Sequence, residues 1–394
     1  MMDYQEVLLI KYGEVALRKG NRHIYENMLM DAIRKNLADS GVAYKLYKEQ
    51  GRIILRSEDT GLARHIPRIS CIFGITSVCS GIKLANDKNM DNVKAACIAY
   101  TKEHIGDLAT FKVTTKRADK AWPGRSDEIS ADIGGFILES LPSLKVDVKN
   151  PDFNLMVEIR NDIYIYSQTA EVEGLGGLPP GSAGKGVLLL SGGIDSPVAG
   201  FLAAKRGVDI TAVYFHAPPY TSERAKDKVV DIAKQLSHFT GRLKLYIVNF
   251  THIQLHLADN TPPEKITILL KRSMLKITDK VAERENALAL ITGDAVGQVA
   301  SQTLHSLKAM AHTTDLPIIR PLACFDKKDI VDIAKKIGTF EISIRPFDDC
   351  CTLFLPKHPE TKPKLSIIQN IERDVPNLLE MYEKAIEEAE IIKF

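Results

Sequence analysis

Residues 187–200 read VLLLSGGIDSPVAG, and this stretch decides the fold. Four apolar residues make a strand that stops at Ser191-Gly192-Gly193, and a helix is expected to begin at Asp195-Ser196-Pro197. Glycines let a backbone turn sharply and come close to a ligand. A helix N-terminus adds unpaired N–H groups and the positive end of the helix dipole, which together favour phosphate. Pro197 suits an early helical position, where its missing N–H costs nothing. In open α/β sheets, ligands bind at the carboxyl ends of strands, where this loop falls. A bare Gly-Gly is an ordinary turn, but Ser-Gly-Gly-x-Asp-Ser between a strand and a helix indicates a phosphate site. Two nearby glycine pairs do not: Gly184-Lys185 is followed by Gly186 and not Ser/Thr, and Gly174-Leu175-Gly176 follows no strand.

Downstream of this loop, apolar strands are expected at 211–215, 244–250 and 287–292, with helices between them, notably 222–239 and 264–284. Such alternation predicts a parallel sheet covered on both faces. An amphipathic helix is expected over 377–391. Upstream, residues 173–186 (EGLGGLPPGSAGKG) are crowded with Gly and Pro and read as a linker. Before the linker, strands at 6–12 and 52–56 alternate with helices at 22–37 and 62–73, which suggests a small ferredoxin-like unit. A second α+β unit follows: strand 76–84, helix 91–104, strand 110–115, a helix over 126–141 capped by Ser126, and a hairpin over 155–166 turning at Asn161-Asp162. The expected domains are therefore 1–75, 76–172 and 187–394, with 173–186 as the linker.

The chain has 394 residues and a formal net charge of +2, so any nucleic-acid surface must be a local cluster. No apolar run approaches the ~20 residues that span a bilayer, and the first residues lack a signal-peptide layout, so a cytoplasmic protein without membrane contact is expected. Six cysteines, at 71, 79, 97, 324, 350 and 351, form no CxxC pair. That argues against a disulfide framework, a zinc site and an iron–sulfur cluster, and no protein metal ligand is assigned. Cys71, Cys79 and Cys97 sit in apolar surroundings and read as core. Lys112, Lys116, Arg117, Lys120 and Arg125 surround Trp122, the single tryptophan. Cations beside a surface aromatic make an RNA footprint. Arg18, Lys19 and Arg22 add further cations.

The SGGIDS motif at 191–196 resembles the pyrophosphatase (PP) loop of adenylating enzymes, which cleave ATP to AMP and pyrophosphate. GMP synthetases, argininosuccinate synthetases, tRNA lysidine synthetases and tRNA thiolases share it, so the loop alone leaves the substrate open. Other segments are more specific. YFHAPPYTSERAKDKV at 214–229, ITGDAVGQVASQTL at 291–304 and RPFDDCCTLFLPKHPETKP at 345–363 resemble blocks of the tRNA 4-thiouridine synthases, the ThiI family. So does IKYGEVALRKGNR at 10–22, and FKVTTKRADKAWPG at 111–124 resembles that family's THUMP RNA-binding module. The resemblance implies a HUP-like parallel-sheet ATP-pyrophosphatase domain preceded by ferredoxin-like and THUMP α+β modules. It implies adenylation of uridine at position eight of tRNA and replacement of O4 by sulfur. The alternative at this level is another PP-loop tRNA-modifying or amidating enzyme, which would not need Cys350.

Carried over by residue, the resemblance assigns ATP contacts to Leu189, Leu190, Tyr214, Phe215, Lys271, Arg272, Gly293 and Gln302, beside Ser191, Gly192, Gly193 and Ser196 of the loop. It makes Asp195 the organiser of the Mg²⁺ or of the reacting phosphate, and Cys350 the sulfur carrier. Cys351 is the alternative carrier or a disulfide partner. Asp348 and Asp349 raise a neighbouring thiol's pKa unless Arg345, Lys357 or a helix end offsets them. The chain resembles the family's short form, without the rhodanese domain on which sulfur supply for the thiamine thiazole depends in some members. The implied partners are tRNA and a cysteine desulfurase as persulfide donor, and the implied assembly is a homodimer.

Overall fold

The computed structural model describes residues 4–18, 20–49, 51–58, 60–347 and 360–394, in two units, Met1–Leu178 and Pro179–Phe394. Among the described residues the first unit carries one sheet of nine strands. These are β1 (Tyr4–Tyr12), β2 (Tyr44–Glu49), β3 (Arg52–Ser57), β4 (Ile75–Ala85), β5 (Thr110–Arg117), β6 (Lys145–Val146), β7 (Phe153–Ile159), β8 (Asp162–Ser167) and β9 (Val172–Glu173). Their order is β2-β3-β1-β4-β8-β7-β5-β6, with β9 paired to β4. The strand β4 is long enough to pair with β1 on one side and β8 on the other, so the sheet runs unbroken from the first module into the second. The helix Arg22–Asn36 buries Leu29 and Ile33 on one half of the sheet, and Met90–His104 and Ser126–Ser140 bury Val93, Cys97, Ile133 and Ile137 on the other.

Several expectations shift here. The stretch expected as one helix over 62–73 is a 3-10 turn, Leu62–His65, followed by a short helix, Ile66–Ser70, with Pro67 in its first turn. Ser126 does not cap its helix but begins it; Glu128 reaches back and accepts from the Arg125 N–H at 2.8 Å. The glycine-rich stretch after β9 is stitched to the sheet, with the N–H groups of Gly174 and Gly176 donating to Thr76 O and Ile75 O at 2.8 and 2.7 Å. A Cβ on Gly174 would lie 2.4 Å from Ile75 O, so only glycine allows that approach. Trp122 is 2% exposed and packs in the core of the second module, so it is no surface aromatic.

The second unit contains β10 (Lys185–Leu189), β11 (Asp209–His216), β12 (Lys244–Asn249), β13 (Ala289–Ile291), β14 (Ile318–Ile319) and β15 (Glu390–Lys393). Their order is β14-β13-β10-β11-β12-β15, parallel except for β15. Val187, Leu188, Ala212, Val213 and Leu290 are fully buried, as a sheet covered on both faces requires. The helices Asp195–Lys205, Glu223–Thr240 and Lys327–Lys336 pack together, while Ile266–Glu285, Thr251–Asn260 and Leu378–Glu387 form a second group. Ser222 caps Glu223–Thr240 by accepting from the Ala225 N–H. The C-terminal helix ends earlier than expected, at Glu387, and residues 390–393 instead extend the sheet antiparallel to β12. That strand depends on a partner far away in sequence, which a local periodicity cannot reveal.

Candidate functional site

The chain leaves β10 for β11 and β12 on one side, then returns to place β13 and β14 on the other. Connections that depart in opposite directions leave a crevice above the carboxyl ends of the two central strands, β10 and β13. A cavity of about 220 Å³ occupies it. Leu189 and Leu190 at the end of β10, Tyr214 and Phe215 on β11, and Gly293 just after β13 all line it. Ser191, Asp195, Ser196, Lys271 and Gln302 complete the set of expected residues brought together there. Met274, Leu275 and Met310 extend the apolar wall.

The loop holds its own shape. Ser196 Oγ accepts from the Ser191 N–H at 2.8 Å and lies 2.9 Å from Ser191 Oγ, while the Gly193 N–H donates to Ser191 Oγ at 3.4 Å. Gly192 and Gly193 form the turn without lining the cavity. Across the crevice, a Cβ on Gly293 would sit 2.8 Å from Ser196 N and 2.9 Å from its Cα. Glycine there lets the end of β13 close onto the helix N-terminus.

Asp195 is the first residue of its helix, and its carboxylate accepts from Lys327 Nζ at 2.5 Å and from Gln298 Nε2 at 2.9 Å. Asp294, directly after Gly293, accepts from the Thr292 hydroxyl at 2.8 Å and from Gln302 Nε2 at 3.4 Å. Lys271 Nζ and Arg320 Nε stand 3.8 and 3.7 Å from its two oxygens. Three cations thus face two carboxylates around the cavity, which suits a polyanionic ligand. His216, at the end of β11, is buried, and that burial lowers its pKa below the ordinary 6.5 against the opposing effect of Glu223.

Arg272 does not join this group. It is 2% exposed, pairs with Glu372 at 2.7 Å, and donates to the Ala309 carbonyl. One helical step, about 100°, separates its direction from that of Lys271, so the two adjacent cations face different surroundings. Cys350 and Cys351, with Asp348, Asp349 and Lys357, lie outside the described residues, and Arg345 pairs with Asp231 at 2.5 Å. Asp294 and Lys327 were not singled out from sequence. The first adjoins Gly293 in the quoted TGD, whereas the second lies 132 residues from Asp195 and gave no local signal. Cys79 and Cys97 are buried, and burial pushes the Cys79 thiol up to about 12. Cys71 is half-buried and Cys324 exposed.

The basic segment splits by strand geometry. Side chains alternate along β5, so Lys112 and Lys116 share one face while Arg117 points to the other. Arg117 Nη1 donates to Trp122 O at 2.7 Å and also to the Gly124 carbonyl, fixing the following turn. Lys112 Nζ donates to Val148 O at 3.2 Å, and Arg125 pairs with Asp127 at the exposed start of its helix. Lys120 lines a cleft of about 570 Å³ with Lys48, Asp119 and Arg160. Arg22 donates to Ala16 O, Arg18 lies over the Tyr25 ring, and Lys19 is outside the described residues.

Three family models match the chain: the ThiI ferredoxin-like domain over 7–79, the THUMP domain over 87–168 and the thiamine biosynthesis protein ThiI over 181–376. A probable tRNA sulfurtransferase of Thermoanaerobacter pseudethanolicus is 47% identical over 98% of both chains. One from Lachnoclostridium phytofermentans is 46% identical over 98% of this chain and 99% of its own. Among solved structures, a 4-thiouridine synthetase–RNA complex with bound ATP superposes with a TM-score of 0.91 at 40% identity, covering 99% of this chain and 100% of that one. The protein PH1313 of Pyrococcus horikoshii shares the fold, with a TM-score of 0.66 at 22% identity over 84% of this chain and 99% of its own.

Proposed function

Because the chain belongs to the ThiI family, whose curated relatives are named tRNA sulfurtransferases, we propose that it thiolates uridine at position eight of tRNA, using ATP. The observation that carries this reading is the cavity over β10 and β13, apolar on one side and closed by SGGIDS on the other. The relative solved with ATP and RNA, 40% identical across nearly the whole chain, supports it.

In this reading Tyr214, Phe215, Met274 and Leu275 exclude water from the base of the nucleotide. The N–H groups of Ser191, Gly192 and Gly193, the hydroxyl of Ser196 and the helix dipole bind phosphate, with Lys271 and Lys327 adding positive charge. Uracil O4 attacks the α-phosphorus, and the bond to the bridging oxygen breaks to release pyrophosphate. Phosphoryl chemistry of this kind is mostly positioning and charge neutralisation. Among the described residues no group of three or more His, Cys, Asp or Glu gathers as a metal cage. A lone Asp195 or Asp294 beside a triphosphate fits Mg²⁺, which takes one or two carboxylates and fills its shell with phosphate and water oxygens. When bound, it neutralises phosphate charge.

Cys350 carries sulfur as a persulfide. Its terminal sulfur attacks C4, and AMP leaves with the former O4. A second thiolate, from Cys351 or the donor, then attacks Cys350 Sγ, which frees the thiocarbonyl and leaves a disulfide for reduction. A cysteine desulfurase supplies the persulfide. Residues 1–75 and 76–172 hold the tRNA, through Lys112, Lys116, Arg117, Lys120 and Arg125, while 187–394 performs the chemistry. The protein acts as a homodimer in the cytoplasm; no helix among the described residues is long and apolar enough to cross a membrane.

The test supplies the protein with ATP, Mg²⁺, unmodified tRNA, a cysteine desulfurase and cysteine, and follows 4-thiouridine by its near-ultraviolet absorbance. Product should form with the wild type and vanish in Asp195→Ala and Cys350→Ser, with tRNA-dependent AMP release surviving in the cysteine variant. AMP release without any thiolated base in the wild type would discard the sulfur chemistry.

A further inference from the structure

Gln302 is 8% exposed, and its Oε1 is buried with no hydrogen-bond partner among the described residues. Its Nε2 donates to Asp294 Oδ1. A carboxylate only accepts hydrogen bonds, so Asp294 dictates which way the amide faces: nitrogen toward Asp294, oxygen away from it. The carboxylate is itself held on both sides. Thr292 donates to Oδ2, Arg320 Nε stands 3.7 Å from that oxygen, and Lys271 Nζ stands 3.8 Å from the other. Arg320 Nε and Nη2 are buried and make no hydrogen bond among the described residues, so this guanidinium has no acceptor closer than Asp294. The relay runs from Arg320 to Asp294 to Gln302, and it ends in an acceptor without a donor. Such an orphan is costly unless a ligand fills it.

We propose that Gln302 Oε1 receives a ribose hydroxyl of the bound nucleotide, and that Arg320 is a positioning residue acting through Asp294. The inference rests on the ATP reading of the cavity. The position favours the sugar: the apolar wall of Tyr214, Phe215, Met274 and Leu275 suits the base, and the loop Ser191–Ser196 suits the phosphates. Gly293, next to Asp294, touches the backbone of Ser196, so the Asp294–Gln302 pair stands beside the phosphate end. The ligand group between a base and its phosphates is the ribose.

The experiment measures binding of ATP, 2′-deoxy-ATP, 3′-deoxy-ATP and purine riboside triphosphate to the full chain by calorimetry. One deoxy analogue should bind about tenfold to a hundredfold more weakly than ATP, the consequence of leaving one buried acceptor unpaired. Gln302→Met should bind ATP as weakly as that analogue and lose the discrimination. Arg320→Met should lose most of the discrimination, and Arg320→Lys should restore it. Asp294→Asn, nearly isosteric and able to present either face to Gln302, gives the same reading should Arg320→Met not fold. Equal binding of ATP and both deoxy analogues, or full discrimination in Arg320→Met or Asp294→Asn, overturns the proposal. So does discrimination only against the purine analogue, which would assign the acceptor to the adenine amine. Failure of the wild type to bind ATP at all would instead remove the ATP reading beneath it.

Discussion

Gly293 stands where β13 meets the N-terminus of the helix Asp195–Lys205, with the Ser196 backbone against the place a Cβ would take. The neighbouring atoms are main chain and cannot swing aside. Gly293→Ala should therefore destabilise the second unit by roughly 1–3 kcal/mol, the usual cost of overpacking, and raise the KM for ATP by displacing the loop. Thermal unfolding and ATP titration of the variant check both effects; an unchanged KM would show that the loop tolerates the shift. The same scale explains why adjacent Lys271 and Arg272 differ. Sequence gave both as phosphate ligands by resemblance, but helical geometry sends one to the cavity wall and the other to Glu372. Burial, and not residue type, separates them.

Elements add a second kind of coupling. Arg52 on β3 is 3% exposed and pairs with Glu158 on β7 at 2.9 Å and with Glu49 on β2 at 3.1 Å. Tyr166 on β8 donates to Glu158 at 2.6 Å. Burial raises the Glu158 pKa, but Arg52, the Tyr166 hydroxyl and Arg160 outweigh it and hold the carboxyl below the ordinary 4.5. A carboxyl depressed in the folded state binds fewer protons there than in the unfolded chain. Its stabilisation is full above the unfolded value and fades as pH falls through the folded one. Glu158→Gln should cost about 2 kcal/mol at pH 7, since Glu49 still compensates part of the Arg52 charge. Denaturant curves should show this difference shrinking as the solution is acidified below the ordinary carboxylate value; a pH-independent difference would remove the ion pair as its cause.

At the scale of the whole molecule, each unit holds its own core: buried clusters around Phe111, Phe153 and Leu8 in the first, and around Val187, Phe250 and Leu269 in the second. Expressed separately, residues 1–178 and 179–394 should each unfold cooperatively, and only the second should bind ATP. Calorimetry on the two pieces tests this, and a piece without a transition would show that its core is incomplete alone. The sequence by itself determined the parallel sheet, the loop at its crevice and most of the cavity wall. Those depend on short-range patterns: apolar runs, Gly-Gly turns and helix caps act between near neighbours. Only the tertiary structure decided that Trp122 is core, that residues 390–393 close a sheet edge, and that Arg272 is spoken for. It alone brought Lys327 to Asp195 and Arg320 to Asp294. Charges on different elements meet through packing, and no local pattern in the chain records which of them will be neighbours.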